Sequence, residues 1–349
     1  MSLNRRKIAV IGAGHVGSHG GYALLSQGIC EELVYIDVNR EKAEAQALDL
    51  FDASTYLQKK AYVYAGSYAD IKDADILIVA AGPLPDMHAG ENDRQQTLPA
   101  TVKILKDIIP QIKNSGFNGI IVNISNPADV VTHYLQDKLD WDPKRILSTS
   151  TTLDSARLRR AISEATGYDQ KSIYAYSLGE HGESQFVPWS AVTVAGKPFL
   201  KLIEEQKERF AGVNLEEIAK RGRSAGWTIL WGKGSTEFGI GASIAEVCRA
   251  ILGDENRILP VSTYLDGEYG EHDVFASVPS RLNAGGVAEV IELNLTEDEQ
   301  KKLDDSYSEA VRQNEELNLV RSLFSTVYQV GSENTCVDMW RSHPNLSPC

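Results

Sequence analysis

The feature that most constrains this chain is a glycine triplet at the end of a short apolar run. Ile8–Ile11 passes directly into Gly12-Ala-Gly14-His-Val-Gly17, and a helical stretch, Ser18–Gln27, follows. A second apolar run, Leu33–Ile36, ends in Asp37, 20 residues beyond Gly17. Each glycine has its own reason. Gly12 permits a tight turn, Gly14 lets the backbone approach a pyrophosphate, and Gly17 allows a helix to pack closely on a strand. The helix N-terminus then offers N–H groups and a partial positive charge to phosphates. Asp37 is placed to accept hydrogen bonds from ribose hydroxyls. A glycine triplet alone is a weak signal, but strand, turn, helix, strand and acid in this order describe a dinucleotide site. A carboxylate at position 37 would repel a 2′-phosphate, which favours NAD over NADP, although the nearby Arg40 works against that discrimination.

From Lys7 to Thr149 short apolar runs alternate with longer helical periods, the pattern of a parallel sheet covered by helices. The strand candidates are Ile8–Ile11, Leu33–Ile36, Ala61–Tyr64, Ile76–Ala80, Gly119–Ile124 and Arg145–Leu147. Glu41–Ala53 and Glu91–Asn114 read as helices, and Pro127 suits the first residue of another. This predicts an α/β Rossmann domain, a doubly wound parallel sheet, over residues 1–150. The second half mixes strand-like pieces (Ser172–Leu178, Pro188–Val194, Arg257–Leu265, Val287–Glu292) with helical stretches at Leu215–Leu230 and Thr236–Leu252. It reads as an α+β substrate domain over residues 151–325. Thr296, followed by Glu297, Asp298 and Glu299, is a good N-cap for a last helix. Residues 326–349 are polar with little periodicity and read as a C-terminal tail.

Composition narrows the function. A net charge of −13 argues against nucleic acid as a partner, because phosphate binding needs clustered Lys and Arg. Apolar runs are too short to cross a bilayer, and Met1–Lys7 carries no leader pattern. The cysteines (Cys30, Cys248, Cys336, Cys349) are too scattered for a metal site and read as reduced thiols. The histidines show no metal-ligand spacing either. A cytoplasmic location, with no membrane partner and no metal, is therefore expected.

Three further segments carry chemistry: Ile124-Ser-Asn126-Pro-Ala-Asp129, Thr151-Thr-Leu-Asp154-Ser-Ala-Arg157-Leu-Arg159, and Gly179-Glu-His181-Gly-Glu-Ser-Gln-Phe-Val-Pro-Trp189. With the glycine motif and Pro260–Tyr269, they make the chain resemble the lactate/malate dehydrogenase family from Lys7 to about Leu317, with motifs like those of its L-lactate dehydrogenases. Reducing a 2-oxo acid needs a proton donor for the carbonyl oxygen, an anchor for the carboxylate and a group that polarises the carbonyl. An imidazole titrates near neutrality, so His181 suits the acid/base role, and it matches the family's proton donor. Asp154 matches the carboxylate that pairs with that histidine. Arg157, one helical turn on, matches the arginine that grips the substrate carboxylate with a fork that Lys could not imitate. The resemblance also implies that Arg94 polarises the carbonyl from a closing loop, that Asn126 orients the substrate and that Thr236 lines its pocket. Val16, Lys42, Tyr68, Gly82, Pro83, Ser125 and Thr149 fall where the family contacts NAD.

The sequence departs from the family in places. The loop from Gly82 to Arg94 is longer than in ordinary L-lactate dehydrogenases and resembles that of L-2-hydroxyisocaproate dehydrogenases, which take bulkier 2-oxo acids. The specificity position falls among Pro85, Asp86, Met87 and His88, and His88 is carried forward as a substrate-side candidate. No Lys or Arg lies between Gly82 and Arg94, whereas Asp86, Glu91 and Asp93 do, so a second substrate carboxylate would be repelled and malate is disfavoured. The family's Gly-Ser-Gly-Thr before the catalytic Asp is Ser148-Thr149-Ser150-Thr151 here, which should tighten that corner. Arg159 matches an arginine that binds fructose 1,6-bisphosphate in activated relatives, but Tyr174 replaces its histidine partner, so weak or no activation is expected. The resemblance thus implies a fermentative, glycolytic oxidoreductase, a homodimer or homotetramer, catalysing (S)-lactate + NAD⁺ = pyruvate + NADH + H⁺. Its rivals are an L-2-hydroxyisocaproate dehydrogenase and a non-catalytic NAD-binding or structural protein. The intact set Arg94, Asn126, Asp154, Arg157 and His181 argues against the latter.

Overall fold

In the computed structural model the first strands form where the apolar runs are unbroken, because strands covered on both faces have no polar side to show. All residues of β1 (Lys7–Ile11) and β4 (Ile76–Val79) are buried. The structure describes residues 5–83 and 97–329, with side-chain surroundings up to residue 313. β2 (Glu32–Ile36), β3 (Tyr62–Ala65), β5 (Ile120–Asn123) and β6 (Ile146–Ser148) join them in the parallel order β6-β5-β4-β1-β2-β3. The order reverses between β1 and β4, and crevices outside the carboxyl ends of strands at such a point receive ligands.

Alternate residues of β1 serve opposite layers. Ile8 and Val10 pack with Leu24, Leu33 and Tyr35, while Ala9 and Ile11 pack with Val102, Leu105 and Val131. The helices α1 (His15–Ser26), α2 (Arg40–Ala53), α3 (Leu98–Ser115) and α4 (Ala128–Leu139) connect these strands. Pro127 is the N-cap of α4 and not its first residue; its backbone is extended, and its bond to Asn126 is cis. The helix expected from Glu91 is described from Leu98 onward, residues 84–96 lying outside the described residues.

The second half does not build a separate main sheet. β10 (Arg257–Asp266), β11 (His272–Asn283) and β12 (Gly286–Val290) extend the parallel sheet, β10 pairing antiparallel with β6 through Ser262 and Ser148. β11 was not anticipated from the sequence. Its Ser residues and Pro279 break the apolar pattern, and Pro279 faces Pro260, so neither residue demands an N–H partner. The expected strands Ser172–Leu178 and Pro188–Val194 shrink to β7 (Ile173–Tyr174) and β8 (Thr193–Val194), paired with β9 (Lys197–Pro198). Trp189–Ala191 forms a 3₁₀ turn instead.

Helices α5 (Thr152–Thr166), α6 (Phe199–Glu205) and α7 (Leu215–Lys233) pack round that small sheet, with Leu158, Ile162, Phe199 and Ile218 in one cluster. α8 (Phe238–Leu252) starts two residues later than expected, after the N-cap Glu237, and lies against α1. α9 (Glu297–Gln329) starts as read, because Thr296 and Glu299 satisfy each other's backbone N–H groups in a capping box. Its Leu303, Tyr307 and Ala310 cover Val274, Ala276 and Val278 of β11. It continues past residue 325, so the first residues of the expected tail are helical; residues 330–349 lie outside the described residues. Among the described residues no helix is long and apolar enough to cross a membrane.

The helix–strand contact at the glycine loop leaves no room. A Cβ on Gly17 would lie 1.9 Å from the Gly12 carbonyl oxygen. Replacing Gly17 by Ala should therefore destabilise the fold by about 1–3 kcal/mol. A thermal melt of the purified variant that matches the wild type would contradict this packing.

Candidate active site

Because β1 to β6 run parallel, the segments that follow them gather at one edge of the sheet. Gly12 leaves β1 with φ +102°, a conformation that side chains resist. Gly14 is the N-cap of α1; no side chain caps the helix, and a Cβ at Gly14 would meet nothing within 4 Å. An open cradle in front of N–H groups is what a pyrophosphate requires, so these residues fit a dinucleotide. Asp37, at the end of β2, accepts from the N–H of Ala13 (2.7 Å) and of Asn39 (2.9 Å), which ties it to the glycine loop.

Tyr68 follows β3; burial, helped by the charges of Asp37 and Asp107, pushes the pKa of its hydroxyl up to about 12. Ser125 is buried and donates to the Ala81 carbonyl oxygen (2.7 Å), joining the segments after β5 and β4. Gly82 and Pro83 are exposed just beyond β4, Val16 is half-buried on the first turn of α1, and Thr149 is buried after β6. Lys42 is exposed on the first turn of α2, and its backbone N–H donates to the Asn39 cap.

Asp154 and Arg157 share one face of α5, and both are buried. His181 reaches them from a segment pinned by two backbone hydrogen bonds between Gly179 and Ser277 of β11. Its Nδ1 lies 2.6 Å from Asp154 Oδ2, and Arg157 Nη1 donates to Asp154 Oδ1 at 2.8 Å. With Nδ1 committed to Asp154, Nε2 is the nitrogen left to exchange a proton with a ligand. Arg157 also lines a cavity of about 340 Å³ with Arg160 on α5 and Arg221, Ala225, Thr228 and Ile229 on α7. A cavity of about 370 Å³ at the opposite edge of the sheet, lined by Arg6, Asp75, Asn118 and Arg145, is remote from this chemistry.

Asn126 Oδ1 is buried with no protein partner among the described residues, while its carbonyl oxygen accepts from Thr101 Oγ1 (3.0 Å). Such an orphaned acceptor fits a ligand-facing position. Thr236 is half-buried in the connection between α7 and α8, and no hydrogen bond joins it to His181, Asp154 or Arg157 among the described residues. Arg94 and His88, with Pro85, Asp86 and Met87, lie outside the described residues. Arg159 is half-buried on α5, and Tyr174 is 62 % exposed. The described residues contain no cluster of three or more metal-ligating side chains.

Two buried carboxylates beside His181 had been given no role. Asp129 Oδ2 accepts the His181 backbone N–H at 2.7 Å. Burial pushes its carboxyl up, against the pull of that N–H. Glu180 accepts from Ser184 (2.7 Å), its N–H donates to Ser306 of α9 (2.8 Å), and burial pushes its carboxyl up as well. Both residues stand inside the quoted motifs, and that adjacency was the available signal.

A parallel sheet with a glycine cradle beyond its carboxyl edge defines a dinucleotide-binding protein. Two family models bear on the chain: the NAD binding domain of lactate/malate dehydrogenase matches residues 6–148, and the alpha/beta C-terminal domain of lactate/malate dehydrogenase matches residues 151–317. The chain belongs to the lactate/malate dehydrogenase family, whose members are NAD-dependent oxidoreductases. It is 46 % identical over 302 residues to L-lactate dehydrogenase 3 of Bacillus anthracis, covering 86 % of this chain and 95 % of that one. It is 42 % identical over 313 residues to L-lactate dehydrogenase 1 of Bifidobacterium longum, covering 90 % and 98 %. Among solved structures, the ligand-bound minor L-lactate dehydrogenase of Enterococcus mundtii superposes with a TM-score of 0.85 at 37 % identity, covering 90 % and 98 %.

Two predictions follow from this geometry. Gly14→Ala should leave the melting temperature nearly unchanged while weakening NADH binding, read by fluorescence titration, by about tenfold; wild-type affinity would mean that no ligand approaches the backbone there. Glu180, raised by burial, is most favourable to folding below its unfolded value of 4.5 and loses that contribution as pH rises through its folded value. Glu180→Gln should thus melt higher than the wild type at pH 8, with the gap closing toward pH 5. A gap that is constant with pH would show that burial does not raise the Glu180 carboxyl in the fold.

Proposed function

We propose that this protein is an L-lactate dehydrogenase, reducing pyruvate to (S)-lactate with NADH and a proton. The observation that carries the reading is the contact chain Arg157–Asp154–His181 beyond an NAD-binding sheet, and relatives at 38–47 % identity bearing that name support it. NAD(H) supplies or accepts the hydride. His181 delivers the proton to the carbonyl oxygen from Nε2, and Asp154 stabilises the imidazolium that forms in the reverse direction. Arg157 anchors the substrate carboxylate and Asn126 orients the carbonyl, with Thr236 at the side of the pocket. The family resemblance assigns Arg94 to polarising the carbonyl and His88 to the substrate, both residues lying outside the described ones.

Asp154 has a further use in this scheme. Arg157 is already bonded to it, so the guanidinium is held in place before any carboxylate arrives, which lowers the ordering cost of binding. The length of the Gly82–Arg94 loop favours, as a second reading, an L-2-hydroxyisocaproate dehydrogenase. Assembly as a homodimer or homotetramer in the cytoplasm belongs to the same proposal.

The test is the loss of NADH absorbance with pyruvate, 2-oxoisocaproate, phenylpyruvate and oxaloacetate, repeated with NADPH for the best acid. Preference for pyruvate in kcat/KM upholds the first reading, preference for the branched or aromatic acids the second, and turnover of none overturns both. His181→Asn should lower kcat on the order of 10²–10⁴-fold with NADH binding retained. Arg157→Lys should chiefly raise the KM for the 2-oxo acid, by about 10- to 100-fold. An unchanged KM would remove Arg157 from the carboxylate.

A further inference from the structure

Ser150 lies on the turn between β6 and α5 with φ +31°, a backbone region that favours glycine. The side chain it carries at that conformational cost makes one contact of consequence. Its Oγ donates to Asp129 Oδ1 at 3.0 Å, and both residues are buried, 4 % and 3 % exposed. The other oxygen of that carboxylate, Oδ2, accepts the backbone N–H of His181 at 2.7 Å. The same turn is fastened on its far side, where Thr151 Oγ1 donates to the Ser177 carbonyl oxygen at 2.7 Å. His181 is therefore gripped twice, at its ring by Asp154 from α5 and at its peptide by Asp129 from the first turn of α4.

We propose that Ser150 and Asp129 are positioning residues: the Ser150 hydroxyl orients the Asp129 carboxylate, which holds the His181 peptide at the height that sets the imidazole against Asp154. The proposal rests on the reading of His181 as the proton donor. Freed from Ser150, the carboxylate can rotate about its χ angles, and the His181 backbone loses its fixed acceptor. A displacement well under the length of a bond in a proton donor is enough to slow transfer, because reacting groups must lie within a narrow range of distance and angle. Burial pushes the Asp129 carboxyl up, and the His181 N–H, with the Ser262 and Ser150 hydroxyls and Asp129's own N–H, opposes it.

The experiment compares the full chain with Ser150→Gly, Ser150→Ala, Asp129→Asn and the Ser150→Gly/Asp129→Asn double variant, using NADH and the best 2-oxo acid. Glycine takes the turn without strain, so Ser150→Gly should melt at or above the wild-type temperature, whereas Ser150→Ala keeps the strain and should melt below it. Both should bind NADH and the 2-oxo acid as the wild type does, while kcat falls on the order of tenfold and the isotope effect from NADH deuterated at the transferred position rises. The double variant should be no slower than Asp129→Asn alone, since Ser150 acts through Asp129. Full kcat in Ser150→Gly overturns the relay, as does a loss in the double variant equal to the sum of the single ones. A wild-type chain that turns over no 2-oxo acid defeats the functional reading itself, which separates the two failures.

Discussion

A carboxylate with almost no exposure to water must have its oxygens satisfied by its neighbours, and two of them meet Asp154 at once. One oxygen takes the imidazole of His181 and the other the guanidinium of Arg157. Removing either partner would leave a buried charge only partly compensated, a far larger penalty than a surface pair could cause. His181 and Arg157, proposed to handle the proton and the substrate anion, are thereby coupled through a shared acceptor. Neither can move far without disturbing the other, and both inherit their position from the first turn of α5.

The position of α5 depends in turn on the main sheet. β6 delivers the chain to the turn at 148–151, and β10 pairs with β6 at that point, so the two halves of the chain meet beside the proposed site. The segment bearing His181 is fastened to β11, the neighbour of β10, and α9 covers the outer face of the same strand. The cofactor edge and the substrate side are thus parts of one sheet, with no hinge of unpaired chain between them at this point.

Much of this was legible in the sequence because the parallel strands have no alternation to hide them. Ile8–Ile11, Leu33–Ile36 and Ile76–Val79 are almost unbroken apolar runs, and the glycine loop has a spacing that physics requires. What escaped was β11, whose His272–Asn283 stretch mixes serines and a proline with its apolar residues. It became a strand because β10, β12 and α9 cover it, which no local pattern announces. The short β7 and β8 were overestimated for the converse reason: apolar composition there serves packing against α5, α6 and α7 more than extended pairing. In the site, His181, Asp154 and Arg157 were named together on the family resemblance, and the structure places the three in contact. Asp129 looked like any acid in the first turn of a helix, and the positive φ of Ser150 leaves no trace in a serine's identity. In the Ser148-Thr149-Ser150-Thr151 turn the residues are buried, and the Ser148 hydroxyl accepts the Ser150 N–H at 3.2 Å.

The bond from Ala13 N–H to Asp37 has an implication for how the cofactor edge behaves before anything occupies it. A glycine-rich loop ought to wander, since glycine loses more conformational freedom than any other residue when it is fixed. Here an acid from the neighbouring strand clasps the loop at its centre, and the turn at Gly12 is held by its own N–H to the Ile36 carbonyl oxygen at 2.8 Å. The entropy of ordering the loop is thereby settled during folding, and an arriving dinucleotide meets a rigid template instead of moulding one.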